Sequence, residues 1–134
     1  MSIQIKSLSN GVATPDVYKA ATSDNSNVIP TANDIYDLYT APNTSPNIRG
    51  AIVKSIRLVN THINSVKVNL YFLRPIANNQ FRRRLITPLD MVLPSGFQYI
   101  DDDEVTLEPG DRIQGKADMG SVIQYVISGM ERDV

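Results

Sequence analysis

The chain has no cysteine and no tryptophan, and a single histidine. Without cysteine there is no disulfide framework, no thiolate nucleophile and no Cys-ligated zinc, while the compartment stays open because oxidising and reducing surroundings both permit a Cys-free chain. One histidine excludes a multi-His metal site. The formal charge of -1 leaves no cationic surplus for phosphate, so nucleic acid is not an expected partner. No apolar run reaches the length of a bilayer span, and the opening Met-Ser-Ile-Gln-Ile-Lys-Ser has neither the basic segment nor the apolar stretch of a signal peptide. The chain is expected to begin at Met1, to be soluble and to have no membrane partner.

What is present is strand-type patterning. At 134 residues the chain fits one domain, which buries roughly two thirds of its unfolded surface without staples. Residues 1–33 are dominated by Ser, Thr, Asn, Asp and Ala with scattered apolar positions, and Pro15 and Pro30 interrupt any regular element. This reads as an extended N-terminal arm, followed by one β-domain over 34–134. Short β-type runs follow at 35–40, 48–60, 66–74, 85–92, 97–100, 105–107, 112–117 and 122–130, separated by turn residues. Seven or eight strands at that spacing predict an all-β antiparallel sandwich or jelly roll.

Within it, Ile56 and Leu58 alternate with Ser55, Arg57 and Val59, and Val66, Val68, Leu70 and Phe72 with Lys67, Asn69, Tyr71 and Leu73. This half-buried period predicts a hairpin over 55–74 turning at 60–65. Glu108-Pro109-Gly110-Asp111 predicts a type II turn, with Gly at the position of positive φ. The run 121–130 has apolar residues on both faces and predicts a central strand. Gly50 and Pro88 fit their runs poorly and predict a bulge or an edge.

No constellation for catalysis is legible, and no cofactor or metal is expected. Asp101, Asp102, Asp103 and Glu104 offer carboxylates to a cation, but without EF-hand spacing, and read as a solvated connection. Arg82, Arg83 and Arg84, with Arg74 nearby, read either as forks for a neighbour's carboxylates or as a charged strand edge that discourages unwanted pairing. Joined together, the two runs predict a salt-sensitive contact between copies. His62 falls in a turn, and Ser95 and Ser128 lack a nucleophile-elbow context, so the chain reads as non-enzymatic. Tyr36, Tyr39, Tyr71, Phe97 and Tyr99 supply flat faces either for packing or for a sugar-binding platform.

The stretches Leu38-Tyr39-Thr40-Ala41-Pro42, Ile52-Val53-Lys54-Ser55-Ile56-Arg57-Leu58-Val59-Asn60-Thr61, Leu107-Glu108-Pro109-Gly110-Asp111-Arg112-Ile113-Gln114-Gly115 and Ile127-Ser128-Gly129-Met130-Glu131 resemble small virion structural proteins of tailed bacteriophages. The resemblance covers roughly 38–131 and leaves the arm unmatched. It implies a β-sandwich in the virion that binds copies of itself and other virion proteins, most simply as a capsid decoration or cement protein. The alternatives are a neck, tail or tail-fibre component, or a receptor- or carbohydrate-binding module. In the decoration reading the arm crosses a neighbour and anchors through Ile3, Ile5, Leu8, Val12 and Val17, assisted by the charged runs.

Overall fold

A computed structural model describes residues 3–7, 19–20, 28–29, 31–77 and 80–133. Among them, strands β1 (Ile3–Ser7), β2 (Lys19–Ala20), β3 (Tyr36–Thr40), β4 (Asn43–Thr44), β5 (Asn47–Asn60), β6 (Val66–Ile76), β7 (Gln80–Leu85), β8 (Met91–Leu93), β9 (Gln98–Asp101), β10 (Val105–Leu107), β11 (Arg112–Ala117) and β12 (Ile123–Asp133) form two facing sheets. The first sheet runs β1-β12-β5-β10, with β9 continuing the β10 edge along β5; the second runs β2-β3-β11-β6-β7, with β8 continuing the β7 edge along β6. All pairings are antiparallel except the short β2–β3 contact.

Counting β1, β3, β5, β6, the β7–β8 edge, the β9–β10 edge, β11 and β12 as eight successive strands, the first, eighth, third and sixth make one sheet. The second, seventh, fourth and fifth make the other. The sandwich expected from the sequence is therefore a jelly roll.

The period-2 pattern explains why these residues pack as they do. Val53, Ile56 and Leu58 of β5, Val66, Val68 and Leu70 of β6, Ile113 of β11, and Ile123, Tyr125 and Ile127 of β12 fill the space between the sheets. Each is worth about 1.5–3 kcal/mol when fully withdrawn from water.

The segment 55–74 is not a hairpin. Its halves have the expected period, but β5 pairs with β12, β9 and β10, whereas β6 pairs with β11, β7 and β8. The 61–65 connection is an arch between sheets, and buried Asn60 builds it. Its Nδ2 donates to the carbonyls of Asn64 and Leu93, and its Oδ1 accepts from the His62 amide. Alternation reports a two-faced strand, but not which strand lies beside it. Glu108–Asp111 is likewise a corner between sheets, and it forms the expected turn: the Asp111 amide donates to Glu108 O at 2.9 Å and Gly110 has φ 89°.

Two further expectations change. The run 85–92 is not a strand but the break in one edge, because β7 ends at Leu85 and β8 begins at Met91. Between them side chains replace ladder bonds: the Leu70 amide donates to the Thr87 hydroxyl, and the Asp90 amide to Asn69 Oδ1. Pro88 sits in this break. β12 is central, as predicted, but only one of its faces is covered; Val126 on the other is 43% exposed.

The arm boundary also moves. Ile3–Ser7 lies along β12 as the edge of the chain's own first sheet, Lys19–Ala20 lies beside β3, and Ile29 is fully buried in the core. A division at residue 33 therefore cuts through the sandwich.

Candidate functional site

The strand period decides what the basic run can do. Along β7, Arg84 is opposite Phe72 and Arg82 opposite Arg74, whereas Arg83 is opposite Leu73. Arg83 therefore faces away from the other two. It stacks over the rings of Tyr71 and Phe81, 5.5 Å from each centroid, and its Nε donates to Gln114 Oε1 at 3.1 Å. Arg74 is also engaged: it forks onto Asp111 with contacts of 2.7–3.2 Å and lies 5.3 Å above the Phe72 ring. The side-chain bond to Asp111 is the main reason its already high pKa rises further. Arg82 and Arg84 are exposed and, among the described residues, form no ion pair. The run thus presents two charges on one face rather than three together.

The acidic run interrupts an edge in the first sheet. Asp101 closes β9 opposite Ile56, β10 resumes at Val105 opposite Val53, and residues 102–104 protrude between them. Asp101 accepts the Asp103 amide, and Glu104 meets Lys54 at 2.5 Å. The Asp102 and Asp103 carboxylates remain exposed and, among the described residues, unpaired. No group of three or more His, Asp and Glu side chains is placed to hold a metal ion among the described residues.

Two buried polar chains were not anticipated from the sequence. Between the sheets, Tyr39 Oη donates to Glu131 Oε2 at 2.5 Å, and Arg49 lies 3.8 Å from the same carboxylate. Burial, then the bond to Glu131, pushes the Tyr39 pKa far up. On the outer face of the second sheet, Asp37 accepts Gln114 Nε2 at 2.7 Å and Arg112 Nη1 at 3.1 Å, and Gln114 passes the chain on to Arg83. Both chains bridge separate strands and restrict sliding between them. Inward parity within β12 marks Glu131 once the strand is known to extend to Asp133; nothing in the local pattern marks Asp37.

The aromatic set does not converge. Tyr36 and Tyr39 are buried, Tyr71 lies under Arg83, and Tyr99 is half-buried on the first sheet. Phe97, 62% exposed, sits with Ile63 at the end of the sandwich closed by the 61–65 arch. That end is rigidly tied: the Ser95 hydroxyl donates to His62 O, the Gly96 amide to Asn60 O and the Thr61 amide to Val122 O. His62 stays within this turn, its Nδ1 accepting the Asn64 amide.

Of the arm anchors, Ile3 is opposite Arg132 and Ile5 opposite Met130 in the β1–β12 register, while Leu8, Val12 and Val17 lie outside the described residues. The basic edge β7–β8 and the acidic edge β9–β10 border the same flank: Tyr39–Glu131 stacks β3 over β12, and Asn60 Nδ2 at the end of β5 reaches the Leu93 carbonyl of β8, so the two strand orders run in the same direction and β1 and β2 fall together on the other flank. Comparison with protein-family models, curated proteins and solved structures finds no match to this chain.

Proposed function

We propose that this chain is a non-enzymatic structural protein of a tailed-bacteriophage particle, a decoration or cement subunit that binds neighbouring subunits through its N-terminal segment and the surface of its sandwich. A fold by itself names no job, but jelly rolls are a recurrent building unit of viral shells, and the sequence resemblance over roughly 38–131 points the same way. The observation that carries the reading is the jelly-roll order itself, with its first strand supplied by the N-terminal segment at the rim of a sheet. A strand held at a rim by a single neighbour is well placed to extend contacts to an adjacent subunit.

The test is mass spectrometry of particles purified from a lysate that expresses this chain, with the wild type beside a full-length Ile3→Asp/Ile5→Asp variant. The wild type is expected in the particles in many copies, and the variant at least tenfold less. A wild-type chain found only in the soluble fraction refutes the reading. Equal incorporation of the two refutes the role of the N-terminal segment.

A further inference from the structure

We infer that two copies of this chain associate flank to flank about a two-fold axis parallel to the strands, Arg82 and Arg84 of each copy meeting Asp102 and Asp103 of the other. This deepens the assembly reading above and rests on it. Four observations lead here. Arg82 and Arg84 are exposed, share one face of β7 and form no ion pair among the described residues. Asp102 and Asp103 are exposed and form no ion pair among the described residues, while Arg83, Asp101 and Glu104 are held by side-chain bonds within the chain and Arg84 donates only to the neighbouring Arg83 carbonyl. The two sets border one flank, one on the rim of each sheet, so that flank carries a positive rim and a negative rim about 10 Å apart.

The fourth observation is height. β5 ends and β6 begins at the 61–65 arch. From there the acidic protrusion lies beside the middle of β5, roughly 17–20 Å along, and the arginines lie opposite Phe72 and Arg74, roughly 20–26 Å along at ~3.3 Å per residue. Long charged side chains span the small remaining offset.

The choice of axis follows from these positions. A two-fold axis parallel to the strands keeps every height and exchanges the rims, so the positive rim of each copy faces the negative rim of the other. An axis running across the flank from sheet to sheet brings rims of like charge together. An isologous contact of the first kind closes at two copies. Guanidinium forks suit carboxylate partners, and the contact weakens as salt shortens the screening length from about 10 Å at 0.1 M to about 3 Å at 1 M.

The experiment is analytical ultracentrifugation of the full chain at about 0.05 M and about 0.5 M salt, where screening differs severalfold. Beside it run full-length Arg82→Glu/Arg84→Glu, full-length Asp102→Lys/Asp103→Lys, the four-fold variant, and a one-to-one mixture of the two double variants. All four positions are exposed, and circular dichroism confirms that each variant is folded. The expected result is a dimer whose Kd rises at least tenfold in high salt and in each double variant alone. The first double variant carries acid on both rims and the second carries base on both. Their mixture therefore regains the dimer, as does the four-fold variant, in which both rims are reversed. A monomeric wild type at low salt, a dimer indifferent to the charge reversals, or a mass that grows past two with concentration each overturns the proposal. A monomer leaves incorporation into particles untouched, so the two readings fail separately.

Discussion

The Gly129→Ala variant tests the description of the central β5–β12 pair most directly. Pairing along these strands runs without a break from Asn60–Ile123 to Ser55–Ser128, then slips by one residue so that Gly129 faces Val53. At that slip the backbones approach closely. A Cβ on Gly129 would stand 2.1 Å from the Ile52 carbonyl oxygen, about 0.9 Å inside the 3.0 Å below which such contacts are essentially never found, with Val53 Cα at 3.0 Å. The obstacle is backbone at the centre of a sheet, so relief requires β5 and β12 to separate over several residues. Overpacking of this kind costs about 3 kcal/mol or more, a large share of a typical domain's 5–15 kcal/mol. For a domain of this size that lowers Tm by roughly 10 °C. The built-in control is Gly115→Ala, whose Cβ meets side-chain atoms and no backbone, Leu38 Cδ1 at 2.7 Å with Leu38 Cγ and Ile29 Cδ1 at 3.3 Å, which can shift aside for a cost of about 1 kcal/mol. Thermal unfolding followed by circular dichroism measures both. A Gly129→Ala protein within ~0.5 kcal/mol of wild type, or no less stable than Gly115→Ala, refutes the close approach and with it the position of the slip.

Two other variants probe the polar interior. Tyr125 is buried and, among the described residues, its hydroxyl has no hydrogen-bond partner, so Tyr125→Phe is expected to be neutral or stabilising by up to about 1 kcal/mol in urea unfolding at pH 7; a clear loss reveals a partner. Burial pushes the same hydroxyl from 10.0 up to about 12, so the folded state holds a proton that the unfolded state releases. That contribution is whole below pH 10 and is lost as pH rises through 12, about 2–3 kcal/mol in all; unfolding free energies between pH 9 and 12 should fall less steeply in Tyr125→Phe, and identical profiles refute the assignment. Asp111→Ala strands the Arg74 guanidinium and the Glu108 amide that Asp111 now accepts. Because Arg74 is partly in water, the expected loss is about 2–3 kcal/mol by urea titration rather than the larger cost of a fully buried pair; a loss below 0.5 kcal/mol contradicts the geometry.

Much of the fold is legible in the sequence because burial in a sandwich imposes period 2 on any strand with one covered face. β3, β5, β6, β9, β10, β11 and β12 all lie close to where alternation or turn chemistry puts them. The strands that escape are those whose position alternation does not report. β7 reads Gln-Phe-Arg-Arg-Arg-Leu and is exposed along nearly its whole length, so no hydrophobic period marks it. β1 does alternate, but it stands apart among polar residues and owes its place to the open edge of β12. The arch at Asn60 shows the deeper limit. A short polar connection between two alternating runs suits a hairpin and a crossing between sheets equally well, and which one forms depends on strands made far away in the chain. The charged runs show the same divide. Their signs and positions are plain in the sequence, but the facing of Arg83 away from Arg82 and Arg84 follows from a register against β6 that only the three-dimensional pairing sets.

That pairing also has a consequence in time. As the chain leaves the ribosome, β5 emerges with Val53, Ile56 and Leu58 uncovered, and the next strand made, β6, joins the opposite sheet. Its central neighbour, β12, appears only after β6 through β11 have been synthesised, and β1, the earliest strand, waits for the same partner. The β6–β7 pair is local, but the central pairings of both sheets, β5 with β12 and β6 with β11, join strands far apart in the chain, so folding is expected to be slow for its size, in the millisecond-to-second range of non-local β topologies. Until then the nascent chain carries sticky, unpaired strands, and its yield in the cell depends on how quickly that late strand arrives.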